Sequence, residues 1–254
     1  MDIVVCVKQI PDPNTPGELD PATHRLRREG VDAVLDPGDE FGIEAGLALA
    51  EAHGGEVRVV SMGPERSVEA IRKALAMGAA RGVLVADPAL AGADALTTAR
   101  VLAAAIRRGP FDLVITATES TDGYTGVVPQ AIAELLGIPA VTFARSLSFD
   151  GSTLTVRRQT ENGTETVEAG LPCVLSVTAG VNAPRYPSLR GIMAARSKPL
   201  DRLSLSDLDV QLGEVDQEIV GVEPAPQRKG GEVVPDDGTG AHRILELLRQ
   251  AKVI

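Results

Sequence analysis

Between an apolar run ending at Ala117 and an amphipathic stretch opening at Val127 lie Thr118, Glu119, Ser120, Thr121, Asp122, Gly123, Tyr124, Thr125 and Gly126. This is the composition of a phosphate cradle. Hydroxyls donate to phosphate oxygens, glycines let backbone N–H groups approach, and a helix N-terminus behind the loop adds a favourable field. The same residue types build ordinary helix caps and turns, so residue chemistry alone leaves both readings open. Three further loops share the position of a ligand site at the ends of apolar runs: KQIPDPN after Val7, LDPGDEFG around Asp36, Pro37, Gly38 and Asp39, and MGPERS from Met62.

Other chemistries lack their residues. No GxGxxG follows the first apolar run and no GxxxxGK[ST] occurs, which argues against an ordinary dinucleotide dehydrogenase or a P-loop NTPase. There is no GxSxG elbow. Cys6 and Cys173 lie inside apolar runs with no CxxC spacing, and His24, His53 and His242 show no metal-like spacing. The sequence therefore predicts neither catalytic side chains nor a metal site.

The elements that must hold these loops alternate. Ile3 to Val7, Glu56 to Ser61, Gly82 to Ala86, Asp112 to Ala117 and Pro139 to Phe143 read as buried strands. Amphipathic helices are predicted between them at 40–52, 67–77, 96–107 and 127–136, closed by Gly54, Gly78, Gly109 and Gly137. Strand and helix in alternation predict an α/β fold, with a doubly wound, mainly parallel sheet of Rossmann-like type. A long segment rich in Pro, Asp and Arg, Pro11 to Gly38, precedes the first helix. After Arg145 the segments SLSFDGSTLTVRRQ, ENGTETVEAG and PCVLSVTAG read as an antiparallel extension, turned at Asp150-Gly151 and Asn162-Gly163.

These elements divide the chain into a nucleotide-binding α/β domain over 1–199 and a C-terminal arm over 200–254. The arm includes a Pro/Gly-rich stretch at 223–240 and an amphipathic segment at 242–252, whose Ile244, Leu245, Leu247 and Leu248 need a surface on a partner subunit or on the chain's own domain.

Composition narrows the partners. With 35 acidic and 25 basic residues the net charge is -10, which opposes nucleic-acid binding. Six aromatics and no Trp leave few platforms for stacking bases. No continuous apolar run reaches the length of a membrane span, so no direct membrane insertion is expected, and the chain reads as cytoplasmic.

Taken in order, IVVCVKQIPDP, AVLDPGDEFGIEAGLAL, SMGPERSVEAIRKALAMGAARGVLV, TESTDGYTG and NAPRYPSLRGIMAARSKP resemble the β-subunit of electron-transfer flavoproteins, over roughly residues 1–200. The resemblance implies an electron carrier, not an enzyme, in a heterodimer with an α-subunit that holds most of the FAD site. Electrons would arrive from acyl-CoA or other flavin dehydrogenases and leave to a quinone oxidoreductase or another acceptor. It also implies AMP in the β-subunit, bound through Cys6, Asp36, Pro37, Gly38, Asp39, Met62 and the residues from Thr118 to Thr125. The segment 184–198 matches the family's partner-recognition loop, with Leu189 as anchor beside Tyr186, Ile192 and Met193, and Arg196 and Lys198 as a charged rim.

Two alternatives stand beside this reading. In one, an electron-bifurcating subunit holds a second FAD in place of AMP and takes part in NADH oxidation. The remoter one is a stress-type nucleotide-binding protein of similar architecture. At Asp36, Asp39 and Tyr124 the sequence departs from residues common in the family, which leaves nucleotide identity open.

Overall fold

A computed structural model describes residues 1–213, 219–223, 231, 233–235 and 237–254. The chain divides into two units, Met1–Glu218 and Ile219–Ile254.

The first unit begins with β1 (Asp2–Cys6), a short pair β2 (Gln9–Pro11) and β3 (Ala33–Leu35), and helix α1 (Pro37–His53). Then follow β4 (Glu56–Met62), α2 (Val68–Met77), β5 (Arg81–Val85), α3 (Ala95–Ile106), β6 (Leu113–Ala117) and α4 (Val128–Leu136). The strands β7 (Ala140–Phe149), β8 (Thr153–Thr160), β9 (Gly163–Gly170) and β10 (Cys173–Val177) precede α5 (Leu189–Ala195), β11 (Leu200–Leu203) and α6 (Leu205–Leu208).

One nine-stranded sheet runs β11-β5-β4-β1-β6-β10-β7-β8-β9. Its strands are parallel except at the β7–β8 and β8–β9 pairings. Helices cover both faces, which is why DIVVC and LVITA are almost wholly apolar and do not alternate. Ile3 and Val5 face the core under α1 and α2, while Val4 and Cys6 face the core under α3 and α4. Helix α1 lies close on the sheet: a Cβ at Gly46 would stand 3.2 Å from Val5 and 3.3 Å from Ile3. The fold is thus the doubly wound α/β architecture predicted from the alternation.

Three local expectations change. The segment PCVLSV, read as antiparallel, is β10, which inserts between β6 and β7 and pairs parallel with both. All five of its residues are buried, so only a central position satisfies it. The hairpin partner of β8 is instead the outer half of β7, whose inner half lies beside β10. The long segment after β1 is not only a loop, because Gln9, Ile10 and Pro11 pair antiparallel with Leu35, Val34 and Ala33. This ribbon returns the chain beside the end of β1 and delivers the start of α1 there.

Residues 200–203, read in the sequence as the start of an arm, form the sheet's edge strand β11 beside β5, so the first unit extends past residue 199. In the second unit the described residues include helix α7 (Gly240–Gln250), on which Ile244, Leu245, Leu247 and Leu248 are exposed. Residues 224–230, 232 and 236 of the Pro/Gly-rich stretch lie outside the described residues. No helix among the described residues is long and apolar enough to cross a membrane.

Candidate functional site

Strand order reverses beside β1: the chain leaves β1 for β4 and β5, then crosses back to β6 on the other side. The crevice at the carboxyl ends of β1 and β6 is therefore the topological switch point, where open α/β sheets take ligands. Three of the four sequence-predicted loops converge on it.

Asp36 joins two of them. It is the N-cap of α1, fully buried, and its Oδ1 accepts from the Gly38 amide at 2.9 Å. The same carboxylate accepts from the Thr121 amide and hydroxyl, each at 2.7 Å. The Asp36 amide in turn donates to the Lys8 carbonyl at 3.0 Å, which ties the helix start to the end of β1. Gly38 permits the approach: a Cβ there would stand 3.3 Å from that of Ala117 at the end of β6. Asp36, expected among the nucleotide contacts, thus has both oxygens engaged in positioning the Thr118–Thr125 loop.

Asp39 is buried in the first turn of α1, where Oδ2 accepts from the Lys8 amide at 2.7 Å. Burial, and next the neighbouring Asp36 charge, raise its pKa well above the ordinary carboxylate value.

Asp122 gathers the local cations. Oδ1 accepts from Lys8 Nζ at 2.6 Å, and Oδ2 from Arg28 Nη2 and Nε at 2.6 and 3.1 Å. Burial works to raise this carboxyl, but Lys8 and Arg28 outweigh it and hold it below the usual range. Lys8 Nζ also donates to Ser120 Oγ at 3.2 Å. Neither Lys8 nor Arg28 stood out in the sequence, since their partner lies about a hundred residues away. Lys8 carried one usable signal, a lone cation at the end of the first strand.

The loop itself presents donors. Among the described residues, no protein acceptor takes the amides of Ser120, Asp122, Thr125 or Gly126, and α4 starts without a side-chain cap. Gly123 is confined: a Cβ there would stand 2.9 Å from Ser120 Oγ. Tyr124 sits at φ 48° with its side chain exposed, and Gly126 at φ 66° completes the turn. Glu119 is exposed, and the Thr118 hydroxyl donates to the Val177 carbonyl at 3.1 Å. Four free amides, and two cations sharing a single carboxylate, suit a phosphate ester.

Cys6 and Met62 pack into the α3–α4 side of the core, at the ends of the adjacent strands β1 and β4. Burial first, and the Asp39 charge next, push the Cys6 thiol up to about 12, so it offers apolar contact and no nucleophile.

The second predicted set sits elsewhere, on α5 over α2. Tyr186, Leu189 and Met193 are exposed, at 94%, 76% and 67%, and Ile192 is exposed beside them. Their base is fixed: Ser188 caps α5, and Arg72 donates to the Ala195 carbonyl. Arg185 bonds Glu44 and Glu51 of α1, and Asn182 donates to the Phe41 carbonyl at 2.9 Å. Arg196 is exposed, as a rim charge requires. Lys198 is not so placed, because its ammonium donates to the Leu75 and Ala79 carbonyls at 2.8 and 2.7 Å and caps the end of α2.

Residues 23–208 match the electron transfer flavoprotein domain. The chain belongs to the electron transfer flavoprotein family. An electron transfer flavoprotein subunit beta from Mycobacterium leprae is 40% identical over 100% of this chain and 99% of its own length. One from Megasphaera elsdenii is 34% identical over the full length of both. The caffeyl-CoA reductase-Etf complex subunit CarD of Acetobacterium woodii is 36% identical over 92% of each. In this electron transfer flavoprotein chain the matched span carries the crevice loops from Arg28 onward and all of α5.

Proposed function

We propose that this chain is the β-subunit of a heterodimeric electron carrier, with AMP in the β1–β6 crevice and FAD held mainly by an α-subunit. When bound, the flavin supplies the redox chemistry. The observation that carries the reading is the loop of free amides that Asp36 fixes at the switch point, in a chain aligned end to end with β-subunits.

In this reading the unengaged amides of Ser120, Asp122, Thr125 and Gly126 hold the phosphate with the Ser120 and Thr125 hydroxyls, and the positive charge that Lys8 and Arg28 carry in excess of Asp122 balances it. Cys6 and Met62 line the floor, and the first turn of α1, from Asp36 to Asp39, sets the wall. Leu189, Tyr186, Ile192 and Met193 dock flavin dehydrogenases such as those acting on acyl-CoA, with Arg196 as a rim charge. A quinone oxidoreductase or another acceptor receives the electrons. The apolar side of α7 packs on the α-subunit, and the complex works in the cytoplasm. A rigid base beneath exposed apolar residues supports the docking role, since preorganisation lowers the entropic cost of association.

A second reading, a second FAD in the same crevice of an electron-bifurcating subunit, draws support from the similarity to CarD, whose complex includes a reductase. Co-expression with the α-subunit, denaturation of the purified heterodimer and quantification of released FAD and AMP test both. Equal FAD and AMP is the expected result. FAD without AMP overturns the nucleotide assignment, and a doubled FAD content without AMP selects the second reading.

A further inference from the structure

The opposite end of the sheet holds a cavity of about 630 Å³ that none of the carrier chemistry uses. It opens where α3 ends at Ile106, leaving the amino ends of β1, β4 and β5 uncovered beside the edge strand β11. Arg58, Arg81, Arg108 and Arg202 line it, in a chain with an overall excess of acid.

Arg58 is the unusual member. It is 8% exposed, on a strand position that apolar residues occupy elsewhere in this sheet, and among the described residues only its Nη2 is bonded, to the Ile106 carbonyl at 2.9 Å. The chain makes room for it at Gly109, where a Cβ would stand 2.9 Å from Nη1. In the β4–β5 register Arg58 lies directly opposite Arg81, a juxtaposition of like charges that destabilises a sheet unless an anion relieves it. Among the described residues, no carboxylate comes within ion-pair distance of Arg58, Arg81 or Arg108; Arg202 pairs with Glu65. Burial and the Arg81 charge both work against the Arg58 guanidinium, partly offset by Asp2 and Glu56.

Asp2, Glu56 and Asp201 share the walls. Carboxylates repel a bare anion but accept hydrogen bonds from hydroxyls, so the lining suits a molecule carrying both groups. We infer that this cavity is a second ligand site, for a phosphorylated sugar whose phosphate lies between Arg58, Arg81 and Arg108 and whose hydroxyls meet Asp2, Glu56 and Asp201. Its volume is in the range of small-molecule sites.

Isothermal titration of the purified two-subunit complex with ribose 5-phosphate, inorganic phosphate and ribose at physiological salt tests this. Ribose 5-phosphate is expected to bind more tightly than inorganic phosphate, and ribose not measurably. Arg81→Gln and Arg108→Gln, both at exposed positions, should each weaken ribose 5-phosphate at least tenfold, while Arg157→Gln on β8 leaves it unchanged. No binding at millimolar ribose 5-phosphate, or binding indifferent to both cavity variants, overturns the site. Equal affinity for inorganic phosphate overturns the sugar assignment.

Discussion

Asp36 fastens the start of α1 to the Thr118–Thr125 loop, and its removal has a calculable cost. Asp36→Ala strips the Gly38 amide and the Thr121 amide and hydroxyl of a charged acceptor at a site with no solvent access. Hydrogen bonds to charged groups contribute about 1.5–3 kcal/mol each, but the three share one acceptor and are not additive, so about 3–5 kcal/mol is expected. Thr121→Val loses only the hydroxyl bond, about 1–2 kcal/mol. The double variant should cost less than the sum of the two, because the hydroxyl's contribution exists only while Asp36 accepts it. Urea denaturation of the four proteins gives the coupling directly, and nucleotide content of the purified complex should fall with Asp36→Ala. Strict additivity, or a loss below about 1 kcal/mol for Asp36→Ala, would refute Asp36 as the fastening of the cradle.

Asp39 has its pKa raised in the fold, so its contribution is fully present below its unfolded pKa and is lost as pH rises through the folded value. Asp39→Asn, which keeps an acceptor for Lys8, should therefore gain stability over the parent as pH rises from 4 to 8; parallel urea midpoints across that range would contradict this. Arg185→Met should cost about 1–2 kcal/mol by urea unfolding, since Glu44 loses its partner, and should slow electron transfer from dehydrogenases while FAD content holds. Leu189→Ala should weaken the same docking by about 1–3 kcal/mol without altering stability; unchanged transfer kinetics would remove α5 from the docking surface. With Cys6 pushed up to about 12 and Cys173 to about 11 by burial, iodoacetamide at pH 8 should label both at least ~100-fold more slowly in the native protein than in urea.

The sheet was legible where runs such as DIVVC and LVITA left no alternative to a doubly covered strand. Residues 173–177 escaped because a strand following a hairpin can return antiparallel beside it or insert beyond it. Only the lack of alternation in CVLSV distinguished the two. The β2–β3 ribbon is three residues long on each side, too short for periodicity to register. Within the crevice the hydroxyls and glycines announced themselves by composition. The roles of Asp36, Lys8 and Arg28 did not, since each depends on a partner brought near only by the crossing of the chain. Lys198 shows the converse: a terminal cation next to an exposed helix reads as a rim charge until the carbonyls at the end of α2 are in place.

Among the described residues, the outer hairpin leaves β9 as a margin of the sheet, eight residues long with no strand on its outer side. Such a margin recruits strands from other molecules unless something discourages them. Glu165 and Glu168 put a carboxylate on each face of β9, and Glu161 adds a third in the turn before it. The hairpin thus carries on its own outer strand the kind of charge that discourages edge-to-edge association.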